Sequence, residues 1–133
     1  MTAKYLVDTD WVIHYLKGHP AIQRRLTPLA REGLLALSIV SLAELYEGVY
    51  YSDDPEAHEA KLAELVRGIE VLNIEDATCR LFAKERGRLR TLKKQIADLD
   101  LFIGMTARQH ELTLLTNNRR HFTLLEGLAL ESV

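Results

Sequence analysis

Cysteine, proline and large aromatic residues are scarce in this chain: among 133 residues there are one cysteine, three prolines, one tryptophan and three phenylalanines. The lone Cys79 excludes an intrachain disulfide and a cysteine-rich metal centre. It falls in a helical pattern with no base beside it and reads as a small buried hydrophobe. No segment approaches the roughly 18 apolar residues of a membrane span. Met1-Thr2-Ala3-Lys4-Tyr5 enters a strand-like stretch without the apolar run and small-residue cleavage site of a secretory signal, so a cytoplasmic location is expected. Excess positive charge is missing too. The net charge of -2 argues against a protein that grips nucleic acid indiscriminately over a large basic face.

What is present is an ordinary globular composition, 47% hydrophobic and 27% charged, at a length that fits a single domain over residues 1–133. Its charge is unevenly placed. From Asp53 to Asp76 there are eight acids and two bases, whereas Cys79 to Lys94 holds Arg80, Lys84, Arg86, Arg88, Arg90, Lys93 and Lys94 against Glu85 alone. That basic stretch is either a surface for a polyanion or the solvated face of an amphipathic helix.

Apolar periodicity alternates between strand and helix. Strands are expected at Lys4–Val7, Leu34–Leu37, Glu70–Asn73 and Leu112–Thr116, with a last edge strand at Leu128–Glu131. The first helix follows Asp8-Thr9-Asp10 through Lys17, and the second runs from His19-Pro20 to Arg31. After a turn at Ser38–Ser41, helices at Leu42–Tyr51 and Ala57–Arg67 form a hairpin; Asp76–Leu92, with Ala77, Leu81, Phe82 and Leu89 inward, and Asp98–His110 complete the set. Alternating βα units predict an α/β fold, a mostly parallel central sheet of about five strands covered by helices on both faces. In such sheets ligands bind beyond the carboxyl ends of the strands, where the strand order reverses, and Asp8 and Asn117 both stand at such ends.

Four acids then stand out. Asp8 follows the first strand, Glu44 sits in the first turn of the third helix, and Asp98 and Asp100 open a later one. Gathered carboxylates repel and raise one another's pKa, so a cluster of this kind implies a hard divalent cation, Mg²⁺ or Mn²⁺. Each acid also has a purely structural reading. Asp8 and Asp98 can cap helices, Ser41-Leu42-Ala43-Glu44 has the form of a capping box, and Asp100 suits a helix dipole. The collective placement at strand ends favours the metal.

These motifs resemble the PIN-domain ribonucleases, and among them the VapC-type toxins of type II toxin–antitoxin pairs. Leu6-Val7-Asp8-Thr9-Asp10 is similar to the family's opening strand and Asp-Thr-Asn or Asp-Thr-Ser ending, and Ser41-Leu42-Ala43-Glu44-Leu45 to its Ser-x-x-Glu-Leu motif. Ile96-Ala97-Asp98-Leu99-Asp100-Leu101-Phe102-Ile103-Gly104-Met105-Thr106-Ala107 resembles the more specific Ile-x-Asp-x-Asp-Leu-x-Ile-Ala-Ala-x-Ala segment, which leads to Thr116-Asn117-Asn118 before Phe122.

The resemblance implies a PIN-like three-layer α/β/α sandwich and a metal-dependent endoribonuclease. Asp8, Glu44 and Asp100 would be its core acids, Asp8 and Asp100 the metal holders and Asp98 an auxiliary. It also implies an RNA substrate, a cognate VapB-like antitoxin and a homodimer. The chain departs from the family where many relatives carry a fourth acid; Asn117, Asn118 and His121 stand there instead.

Around the acids, Thr116 and Asn118 either orient a ligand or water or simply form an Asx-type turn. Arg86, Arg88, Arg119 and Arg120 either position RNA phosphates or provide plain surface charge. Trp11 and Tyr15, four apart on a helix, read as packing rather than base stacking, and His14 and His110 as ordinary helix residues. Two other functions compete with the nuclease. One is a PIN-like module that binds RNA without cutting it. The other is a Mg²⁺-binding receiver-like signalling domain, disfavoured because Thr9 splits Asp8 from Asp10 and Asn117 takes the late-strand place of a Lys.

Overall fold

In the computed structural model, which describes residues 2–133, five short strands alternate with seven helices. The chain runs β1 (Tyr5–Val7), α1 (Thr9–Leu16), α2 (Pro20–Arg31), β2 (Leu35–Ser38), α3 (Ile39–Tyr50) and α4 (Pro55–Val66). It continues with β3 (Glu70–Leu72), α5 (Asp76–Thr91), α6 (Asp98–Gln109), β4 (Thr113–Leu115), α7 (Arg119–Phe122) and β5 (Leu130–Glu131). The strands lie in the order β3-β2-β1-β4-β5, every neighbouring pair parallel. The order therefore reverses at β1, whose two neighbours come from opposite halves of the chain. This is the expected parallel α/β sandwich.

Alternation along each strand divides the core into two layers. Leu6, Ala36 and Leu114 face a cluster with Leu89 of α5, Leu101, Ile103 and Met105 of α6, and Phe122. Val7, Leu35, Leu37 and Leu115 face the opposite cluster with Trp11, Ile22, Leu26, Val49 and Leu62. Each fully buried Leu or Ile contributes about 1.5–3 kcal/mol over its exposed state, so a one-residue slip of β1 would be costly. Gly104 permits one close approach: a side-chain carbon there would collide with Leu125 of the segment after α7. Trp11 is fully buried, as the packing reading anticipated, and its indole N–H donates to Asn117 Oδ1 at 3.1 Å.

Several local expectations change. Helix α3 starts at Ile39, not Leu42, because the Ser38 side chain accepts from the Val40 amide at 3.1 Å and so caps it. The capping box at Ser41 therefore does not exist; Ser41 is buried inside α3 with its hydroxyl unpartnered. On α5 it is Thr78, not Ala77, that turns inward, and Cys79 is exposed rather than buried. The residue before α6 is its cap, Ala97, not Asp98. The stretch after Asn118 is a short helix, α7.

Candidate active site

Asp8 ends β1 and caps α1, a position that a side-chain acceptor favours on local grounds alone. Yet it is only 4% exposed and is held at both oxygens: Oδ1 accepts from the Thr9 amide at 2.9 Å and Oδ2 from the Thr116 hydroxyl at 2.7 Å. Thr116 follows β4, so this bond joins the two strands that flank the reversal of strand order. The same hydroxyl accepts from the Asn118 amide at 3.0 Å, which fixes the turn into α7. Glu44 reaches the cluster through Thr9, whose hydroxyl donates to Oε1 at 2.7 Å. Asp8, Thr9 and Glu44 thus form a continuous chain of contacts across α1 and α3.

Asp100, half-buried in the first turn of α6, completes the group from the other face of the sheet. His121 Nδ1 lies 3.5 Å from its Oδ2, and Asn118 Nδ2 lies 3.0 Å from that same ring nitrogen. Burial lifts Asp8 from 3.8 to about 6, against the Thr116 hydrogen bond that pulls it down, and the charges of Asp10 and Asp100 push it further up. Asp100 is raised as well, first by burial and in smaller part by Asp10, while His121 opposes the shift. Asp10, exposed in the first turn of α1, is therefore an electrostatic member of the site that the motif reading passed over. Its signal was the Asp8-x-Asp10 spacing.

The donor chemistry fits a hard divalent ion. Asp8 carries a buried charge with two hydrogen bonds and no ion-pair partner among the described residues. No three acidic, histidine or cysteine side chains among the described residues close a cage of their own. Mg²⁺ suits such an open arrangement, because it keeps several waters and takes one or two carboxylates together with substrate oxygens.

The other named residues lie in varied settings. Asp98 is exposed and turned outward, paired with Arg86, which also donates to the Ile96 carbonyl at 2.9 Å. Arg88 is committed to Glu85 and the Leu124 carbonyl. Arg119 donates to Ser132 Oγ at 3.1 Å, and Arg120 is exposed. Asn117 accepts from Trp11 and from the Val133 amide.

A family model described as PIN domain matches residues 5–127. The chain is 32% identical over 133 residues to Ribonuclease VapC2 of Rickettsia felis, covering 96% of both chains. It is 31% identical over 128 residues to the tRNA(fMet)-specific endonuclease VapC of Shigella flexneri, again covering 96% of each. A crystal structure of VapBC2 from Rickettsia felis, bound to a DNA fragment from its promoter, matches with a TM-score of 0.89. Its identity is 28%, covering 97% of this chain and 98% of that one.

Proposed function

The chain belongs to the PIN-domain family, and on that premise we propose that it is a VapC-type endoribonuclease, the toxin of a toxin–antitoxin pair. The PIN-domain match covers residues 5–127. The observation that carries this reading is Asp8, a buried carboxylate without a cation where the strand order reverses, in electrostatic reach of Asp10 and Asp100.

Asp8 and Asp100 would hold Mg²⁺ or Mn²⁺, which would supply charge neutralisation at the scissile phosphate and a more acidic water. Thr116 and the Thr9 amide fix the Asp8 carboxylate so that it does not rotate away when RNA enters. Glu44, anchored at one oxygen by Thr9, keeps the other free to orient the attacking water. Asn118 and His121 set the position of Asp100. Asp98 acts at one remove, by fixing Arg86 beside the start of α6. Arg119 and Arg120, at the mouth beyond β4, contact RNA phosphates, whereas Arg88 is occupied by Glu85.

The partner is a VapB-like antitoxin, supported by the likeness to VapBC complexes, and the working form is a homodimer. Exposed Tyr46 and Tyr50 on α3, 6.4 Å apart and stacked, support such an interface. No described helix is long and apolar enough to cross a membrane.

Incubating the protein with a mixed RNA pool, with Mn²⁺ or EDTA, tests the chemistry. Cleavage should need the metal and vanish in Asp8→Asn and Asp100→Asn; cleavage in EDTA would overturn the mechanism. A solution mass of one chain would remove the dimer.

A further inference from the structure

We propose that the basic cavity at the C-terminal end of α5 is a phosphate-binding subsite that holds the RNA backbone outside the cleavage cleft. This rests on the ribonuclease reading and adds to it a place where substrate is gripped. The cavity, about 560 Å³, is lined by Arg86, Arg90, Lys93, Lys94, Gln95 and Ile96, with no acid among them. Arg90, Lys93 and Lys94 are exposed, and none has a carboxylate partner among the described residues. Arg86 is paired with Asp98, but the three cations beside it around the concavity repel one another, and a polyanion entering it removes that repulsion and releases counterions.

The backbone adds a second observation. Helix α5 closes with the Lys93 amide donating to the Arg90 carbonyl at 3.1 Å and the Lys94 amide to the Leu89 carbonyl at 2.9 Å. This closure puts Lys93 at φ 58, in the left-handed region that suits glycine. Gly18 and Gly33 close α1 and α2 in the same way at φ 85 and 70. Among the described residues only Lys93 and Glu111 adopt this conformation with a side chain. Lys93 thus places a cation at the cavity rim in a backbone conformation where glycine would be less strained. The cavity is joined to the start of α6 by one side chain. Its inner wall, Arg86, bonds to Ile96 and Asp98, and Asp98 stands two residues before Asp100.

The test is binding of a fluorescent single-stranded RNA to the chain carrying Asp8→Asn, followed against salt. Adding Lys93→Gly should weaken binding by roughly 3- to 10-fold while leaving the Tm no lower, a pairing that a merely structural lysine would not give. Adding Arg90→Gln, Lys93→Gln and Lys94→Gln together should lower the slope of log K against log salt by about 2, at roughly 0.7 per phosphate for single strands. Removing the same charge with Arg24→Gln, Arg31→Gln and Arg67→Gln should change affinity less than about twofold. Unchanged affinity and slope in the cavity variants, or an equal loss in the control, would overturn the subsite. So would an effect seen with polyglutamate and not with RNA, which would assign the cavity to an acidic protein segment. Cleavage of the same RNA by the unaltered chain is read separately: RNA held through the cavity but left uncut would remove the nuclease reading and keep the subsite.

Discussion

Asp8 and Glu85 are buried to nearly the same depth, 4% and 3% exposed, and their surroundings differ in kind. Glu85, on α5, receives both arms of Arg88 at 2.9 and 2.8 Å, the Glu126 amide at 2.9 Å, and Arg108 at 3.7 Å. The Arg88 hydrogen bonds, first among these, hold its carboxyl below the usual 4.5 despite burial. Among the described residues Asp8 meets a hydroxyl and an amide but no cation, and burial raises it to about 6. One acid is finished by the fold and fastens the segment after α7 to the helices. The other is left with its charge uncompensated at the mouth of the sheet. An enclosed carboxylate that the chain declines to neutralise is a place prepared for something from outside.

The comparison breaks first at Asp8 itself. Asp8→Asn should lower metal-dependent RNA cleavage about 10³-fold, equivalent to about 4 kcal/mol, while the fold persists; a loss below tenfold in kcat would return Asp8 to a capping role.

A smaller effect concerns pH. In EDTA, the folded protein holds the Asp8 proton up to about pH 6 whereas the unfolded chain releases it near 3.8. Stability should therefore fall as pH rises through that window, by up to about 3 kcal/mol at 1.36 kcal/mol per unit. Urea midpoints for the unaltered chain, set against Asp8→Asn, measure it, and parallel curves would deny the uncompensated charge. Glu85 contributes in the opposite sense, with stability present above its ordinary pKa and lost as pH drops.

Next, Glu85→Gln should cost about 2 kcal/mol at neutral pH, less than a fully enclosed pair because Arg88 and Arg108 are about a third exposed. Thermal unfolding checks it, and an unchanged Tm would mean the cluster adds nothing. The smallest effect belongs to a compensated acid near the surface. Glu131 of β5 accepts both arms of Arg25 at 2.6 and 2.9 Å, with both side chains about a third exposed. Arg25→Gln should cost less than about 1 kcal/mol and matter less in high salt. A loss as large as that of Glu85→Gln would show that pairing, not depth, sets the stakes.

The contrast also explains what could be read from the amino acids. The alternation of strands and helices was legible because Leu6-Val7, Leu35–Leu37 and Leu114-Leu115 are apolar runs flanked by helix starts. The start of α3 was not, because Ser41-Leu42-Ala43-Glu44 imitates a capping box while Ser38, three residues earlier, does the capping. Asp8, Glu44 and Asp100 stood out by motif, but Glu44 is tied to Asp8 through Thr9, and Asp8 to the end of β4 through Thr116, by hydroxyls that carry no periodic signal. Asp98 and Asp100 are two residues apart on α6, about 200° around the helix, so they cannot share a face. Arg86, on a different helix, pairs with the outward one. Arg88 looked like part of a basic face because its partner Glu85, three residues before it, lies hidden beneath it.

The bond from Thr116 to Asp8 spans 108 residues. During synthesis Asp8 emerges early, and β2 is soon available beside it. Thr116 and β4, however, arrive only after Asp100 and the whole of α6, so a growing chain carries the first acid long before the strand that seats it. Pairing over so long a loop is slow and comes late. The seat of Asp8 is therefore complete only when nearly the whole chain has been made, a delay written into the order of its strands.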